Sequence, residues 1–148
     1  MDIALDTNIL LYAADQRSPF HQTALTWINR SQTGEFRAYL VANVLYEMVA
    51  VLTSKPYRDR ISGQTAQALY DFYLDNDSFT KLSPTQNTPY LIRELLKSSS
   101  HAENYIHDLV IAAVLREYGV PALLTSNVRD FSGLDLKIIA LTDDLSGE

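Results

Sequence analysis

The 148-residue chain is expected to form one α/β domain, three layers deep, with a central parallel sheet and helices on both faces. Three observations predict it. Short apolar runs alternate with stretches of helical periodicity along the whole chain, the signature of repeated βα units. A composition of 47% hydrophobic and 20% charged residues is that of a globular domain, which at this length buries roughly 68–70% of its extended-chain surface. No linker, repeat or low-complexity stretch divides the sequence.

Ile3-Ala4-Leu5 reads as the first strand, and Asp6-Thr7-Asn8 offers capping side chains for a helix through Ile9, Leu10 and Leu11. Ser18 is expected to cap a second helix with Pro19 at its first position. Phe20, Ala24, Trp27 and Ile28 follow at helical spacing as far as Gly34. Residues 36–41 form the second strand. Asn43 is expected to cap a helix over 44–53, which Pro56 stops. Ser62 opens a helix carrying Ala66, Leu69, Phe72 and Tyr73, and 79–82 is a short strand. Thr88-Pro89 repeats the cap-plus-proline signal before Leu91, Ile92, Leu95 and Leu96, and Ser98-Ser99-Ser100 breaks that pattern. Residues 106–118 carry the strongest helical pattern, ended by Gly119. Residues 122–125 and 136–141 are short enough to be buried strands. The domain is expected to span 1–141, with 142–148 a loose acidic tail.

The charge balance, twelve Lys and Arg against eighteen Asp and Glu, gives a net charge of −6, which argues against a broad cationic face for duplex nucleic acid. With no cysteine, disulfide scaffolds, thiolate zinc, iron–sulfur clusters and thiol nucleophiles are all excluded. The N-terminus lacks the basic segment of a signal peptide, and no uncharged apolar run approaches the ~20 residues of a membrane span. A soluble, cytoplasmic protein is the expectation.

In such a sheet, ligands bind at the carboxyl ends of the strands. Asp6 sits at the end of the first strand; helix capping explains it as well as function does. Glu47 lies among Val44, Leu45, Tyr46, Met48, Val49, Ala50, Val51 and Leu52, so its carboxylate is expected at the edge of the core. There it needs a proton, a cation or a metal, and a salt bridge is the plain alternative. Asp108 opens Leu109-Val110-Ile111-Ala112-Ala113-Val114-Leu115. The helix dipole favours an acid in that first turn, yet Ile111, Ala112 and Leu115 share or border its face. Asn127 and Asp130 follow another strand end, where both are also ordinary turn formers. Were Asp6, Glu47 and Asp108 to converge, carboxylates ~4 Å apart would repel by roughly 4 kcal/mol at an effective dielectric near 20. A divalent cation reverses that term, and an all-oxygen set selects Mg²⁺ or Mn²⁺ over zinc.

Other chemistry is poorly represented. His21, His101 and His107 form no i,i+4 pair, no Gly-rich phosphate loop is present, and no serine stands in a nucleophile elbow. Lys55, Arg58 and Arg60 flank Tyr57, a grouping able to meet an RNA strand and equally at home in a solvated loop.

The chain resembles the PIN domain family, in particular the VapC-type toxin ribonucleases. The matching pieces are Leu5-Asp6-Thr7-Asn8-Ile9-Leu10-Leu11, Tyr46-Glu47-Met48, His107-Asp108-Leu109-Val110-Ile111-Ala112-Ala113 and Thr125-Ser126-Asn127-Val128-Arg129-Asp130-Phe131. Their order and spacing carry the resemblance from first strand to last. It implies a PIN-like three-layer fold in which Asp6, Glu47 and Asp108 bind one or two Mg²⁺ or Mn²⁺ ions. Asn127 stands where many members have a fourth acid, with Asp130 a substitute directly or through water. Thr7, Thr125 and Asn8 match positions that orient the acids. The implied activity is metal-dependent hydrolysis of RNA leaving a 3′-hydroxyl, with a small antitoxin as partner and a homodimer as the usual assembly.

Two rivals have their own motives. A haloacid dehalogenase-like phosphohydrolase would use Asp6 as a nucleophile, but its second Asp, two residues on, is here Asn8. A non-catalytic PIN-like binding module is suggested by Asn127.

Overall fold

A computed structural model describes residues 1–97 and 105–143. In chain order the elements are β1 (Asp2–Leu5), α1 (Thr7–Ala14), α2 (His21–Gln32), β2 (Arg37–Val41), α3 (Ala42–Leu52), α4 (Gly63–Asp75), β3 (Phe79–Leu82), α5 (Thr88–Lys97), α6 (Ile106–Tyr118), β4 (Ala122–Thr125) and β5 (Lys137–Ala140). All five strands are parallel, in the order β3-β2-β1-β4-β5. The central strands are covered on both faces, which is why β1 and β4 read as continuous apolar runs.

The chain steps from β1 through β2 to β3, then crosses back to β4 and β5 on the other side of β1. Right-handed crossovers place α1 to α4 on one face and α5 and α6 on the other. The packing agrees: α1 lies against α2 and α3, α3 against α4, and α6 against α5 and the short 3₁₀ turn Val128–Phe131. The reversal opens a crevice between the carboxyl ends of β1 and β4. Because α1, α3 and α6 run back from that edge of the sheet, their first turns border it.

Several local signals act as expected. Ser62 Oγ accepts the Thr65 N–H at the start of α4. Gly119 ends α6 with φ +69°, a left-handed conformation that disfavours any side chain, and the Val120 N–H returns to Leu115 O at 2.9 Å.

Three helix starts differ. Ser18 does not cap α2: its hydroxyl accepts the Phe20 N–H, closing a turn, and the helix begins at His21. Asn43 does not cap α3 either. That helix leaves β2 with no loop, so Val41 takes the cap position without a capping side chain and Asn43 falls inside the first turn. Thr88 belongs to α5 itself; its hydroxyl accepts the Thr85 N–H and donates to Glu117, tying α5 to the end of α6. The break expected at Ser98-Ser99-Ser100 lies outside the described residues. So does 144–148; of the expected tail, Asp143 Oδ2 accepts the Ala140 N–H in a turn closing β5.

Trp27 locks α2 to the far end of the sheet, its Nε1–H donating to Leu141 O at 2.8 Å in a buried bond. Trp27→Phe leaves that carbonyl unpaired and is expected to cost about 1–3 kcal/mol, measured by urea unfolding followed in the far-ultraviolet circular dichroism.

Candidate functional site

Asp6 stands at the carboxyl end of β1, its N–H donating to Leu124 O of β4 at 3.0 Å. It is the residue at which β1 becomes α1, and only 6% of its surface is exposed. Oδ1 accepts the Thr7 N–H at 2.8 Å; Oδ2 accepts from Thr125 Oγ1 at 2.7 Å and Asn8 Nδ2 at 3.0 Å. One carboxylate therefore caps α1 and also joins the ends of β1 and β4.

The donor directions are forced by the neighbours. Thr125 Oγ1 accepts from the Asn127 N–H and from Asn8 Nδ2, so its single proton goes to Asp6. Asn8 Oδ1 accepts the Ser126 N–H, which turns its amide nitrogen toward Asp6. The ends of β1 and β4 are thus stitched together around one acid.

Thr7 extends the network. Its hydroxyl donates to Glu47 Oε2 at 2.9 Å while its backbone N–H holds Asp6. Glu47 is exposed, not set at the edge of the core as its apolar neighbours suggested: its side of α3 opens onto the crevice. The expected need for burial compensation falls away, and Thr7 fixes the direction of the carboxylate.

Asp108, in the first turn of α6, has Oδ2 buried with no hydrogen-bond partner. Burial first, and then the charges of Asp6, Asp130 and Glu47, push its pKa up from 3.8 to about 7. Burial also raises Asp6, with Glu47 adding to it against the hydrogen bonds from Thr125, Thr7 and Asn8. Asp108 therefore feels acids from the β1–α1 junction, α3 and the Val128–Phe131 turn. Among the described residues, no three Asp, Glu or His side chains are drawn together tightly enough to hold an ion in the arrangement seen. The donor chemistry nevertheless fits a hard divalent cation: carboxylates only, mutually repelling, with an unsatisfied oxygen on Asp108.

The sequence model of the PIN domain matches residues 3–136. The chain belongs to the PIN domain family. No curated protein matches it in sequence. Solved structures with the same fold include VapBC2 of Rickettsia felis bound to a promoter DNA fragment, 19% identical over 95% of this chain and 98% of that one, TM-score 0.67. Another is the sarcin–ricin-loop-cleaving toxin VapC20 of Mycobacterium tuberculosis, 16% identical, covering 90% and 98%, TM-score 0.67. A toxin–antitoxin complex from Klebsiella pneumoniae is 16% identical, covering 96% and 99%, TM-score 0.63.

In this PIN domain Asn127 is exposed and joins the network through its backbone: its N–H donates to Thr125 and its carbonyl accepts the Asp130 N–H. Asp130 supplies the fourth charge. The Lys55, Arg58 and Arg60 group divides. Arg60 lies over the Tyr57 ring and pairs with the buried Asp15 at 3.4 Å, so it braces the α3–α4 connection against the end of α1. Lys55 and Arg58 are exposed. Sequence reasoning passed over Asp15, whose carboxylate also accepts the Arg17 N–H; a lone Asp after a helix gives no sign of a partner 45 residues away. No helix among the described residues is long and apolar enough to cross a membrane.

Proposed function

We propose that this PIN domain is a Mg²⁺- or Mn²⁺-dependent endoribonuclease and the toxin of a toxin–antitoxin pair. The observation that carries it is Asp108, whose Oδ2 is buried without a partner and within electrostatic reach of Asp6, Asp130 and Glu47. Asp6, Glu47 and Asp108 would hold the cation, with Asp130 in support. When bound, the cation lowers the pKa of water and offsets charge developing on phosphate oxygens.

The chain's own residues do the rest. Thr125, Asn8 and the Thr7 N–H keep Asp6 pointed into the crevice, and Thr7 Oγ1 does the same for Glu47. Asp108, whose pKa burial pushes up to about 7 in the metal-free chain, gives up that proton on taking the cation. In the reaction, water attacks phosphorus and the bond to the 3′ oxygen breaks. That oxygen takes a proton to leave a 3′-hydroxyl, and the other fragment keeps a 5′-phosphate.

The structural neighbours include an RNA-cleaving toxin and a toxin–antitoxin complex, which supports an antitoxin as partner. A net charge of −6 and an acidic crevice suit a basic antitoxin segment. A homodimer and cytoplasmic residence belong to the same reading.

Purified protein incubated with tRNA, rRNA fragments and single-stranded DNA is expected to cut RNA with Mg²⁺ or Mn²⁺ and to stop with EDTA. Intact RNA throughout the panel would overturn the proposal. Asn127 keeps a second reading alive, a binding module without metal; calorimetry showing no heat with millimolar Mn²⁺ would favour it.

A further inference from the structure

Beside the acids lies a pocket of about 350 Å³ between α3 and α6, lined by Asn43, Tyr46, Glu47, Ala50, His107 and Ile111. That volume is at the small end for ligand sites, the scale of one nucleotide. Asn43, Glu47 and Ala50 stand on one side of α3, and His107 and Ile111 one turn apart on α6. Ala50 and Ile111 give it an apolar lining, and Tyr46 adds an aromatic that is 58% exposed. The pocket shares Glu47 with the acid network, and His107 precedes Asp108 in the chain. A group seated there would have its neighbouring phosphate at the carboxylates.

One atom gives the pocket a chemical preference. Asn43 Oδ1 is buried without a hydrogen-bond partner, an acceptor that is costly to leave unmade. Apolar lining, an exposed aromatic ring and one buried acceptor together complement a nucleobase that carries an amino group: stacking supplies affinity for any base, and the acceptor selects among them.

We propose that this pocket seats one base of the RNA beside the scissile phosphate, with Tyr46 stacking on it and Asn43 Oδ1 accepting from an exocyclic amino group. This rests on the ribonuclease reading above. Adenine, cytosine and guanine present such a donor and uracil does not, so the enzyme discriminates against uracil at one position.

The test uses the full chain carrying Asp6→Asn, with labelled hexaribonucleotides that differ at one position and their counterparts lacking the amino group, read by fluorescence anisotropy. Removing the amino group from the preferred base is expected to weaken binding about tenfold. Adding Asn43→Leu erases that difference, and adding Tyr46→Ala weakens every oligonucleotide about tenfold. Thermal midpoints of the variants confirm folding. Unchanged affinity and base profile in both variants would overturn the pocket, as would no RNA binding at all. Loss of a co-purified antitoxin with RNA binding intact would give the pocket to a protein partner and also overturn it. With Asp6 intact, cleavage that neither Asn43→Leu nor Tyr46→Ala changes sinks the pocket alone; base-selective binding without cleavage by the unmutated chain sinks the ribonuclease alone.

Discussion

Asp6→Asn is expected to lower RNA cleavage by about a thousandfold or more while the thermal midpoint in metal-free buffer stays level or rises. Two opposing terms set the stability. The carboxylate is buried and its pKa is raised by that burial and by Glu47, so removing the charge relieves both. Against this, Asp6 accepts on both oxygens, from Thr7 on one and from Thr125 and Asn8 on the other. An amide has a single acceptor. It can keep Thr125 and Asn8, but it then turns an NH₂ toward the Thr7 N–H and forfeits about 1 kcal/mol. The relief grows with pH and the lost bond does not. A differential scan at pH 8 is therefore the sharper measurement. A fall of more than about 4 °C, with cleavage persisting, would mean that Asp6 serves the helix start rather than the chemistry. With Mn²⁺ present, the unmutated chain gains stability by ligand linkage and the variant does not.

The sheet and the helix order were legible because both follow from periodicity, which each segment carries within itself. Residues 106–118 show this well: the apolar pattern, Asp108 in the first turn and Gly119 at the end specify α6 with no outside help. Capping was less legible where the chain turned without a loop. At the β2–α3 junction the strand runs straight into the helix, so a good capping residue, Asn43, sits two positions too late. Glu47 illustrates a different limit. Its sequence neighbours are almost all apolar, yet whether it is covered depends on where α6 lies, and that is a tertiary fact. The positions of Asp6, Thr7, Asn8 and Thr125 at strand ends could be read in advance; their shared hydrogen bonds could not. Tyr46 gave one unused sign, an aromatic beside an acid in an apolar helix.

Asp108→Asn is expected to flatten the pH dependence of folding stability. Unfolded, the side chain ionises near 3.8; folded, it keeps its proton to about 7. Below 3.8 both states are protonated and the group has no effect. Between the two values the folded chain holds a proton the unfolded chain has released, so stability falls as pH rises, and the loss is complete above 7. In metal-free buffer the variant should therefore unfold several degrees above the unmutated chain at pH 8 and match it by pH 4, with urea titration at each pH as the check. Cation binding must displace the same proton. For the unmutated chain, the rise in thermal midpoint on adding Mg²⁺ should be larger at pH 8 than at pH 5.5, and the variant should lose most of it. Parallel pH profiles would show that Asp108 is ionised in the folded chain. The repulsion from Asp6, Asp130 and Glu47 would then be relieved by some means other than a proton, and the reading of Oδ2 as a site open to a cation would fail.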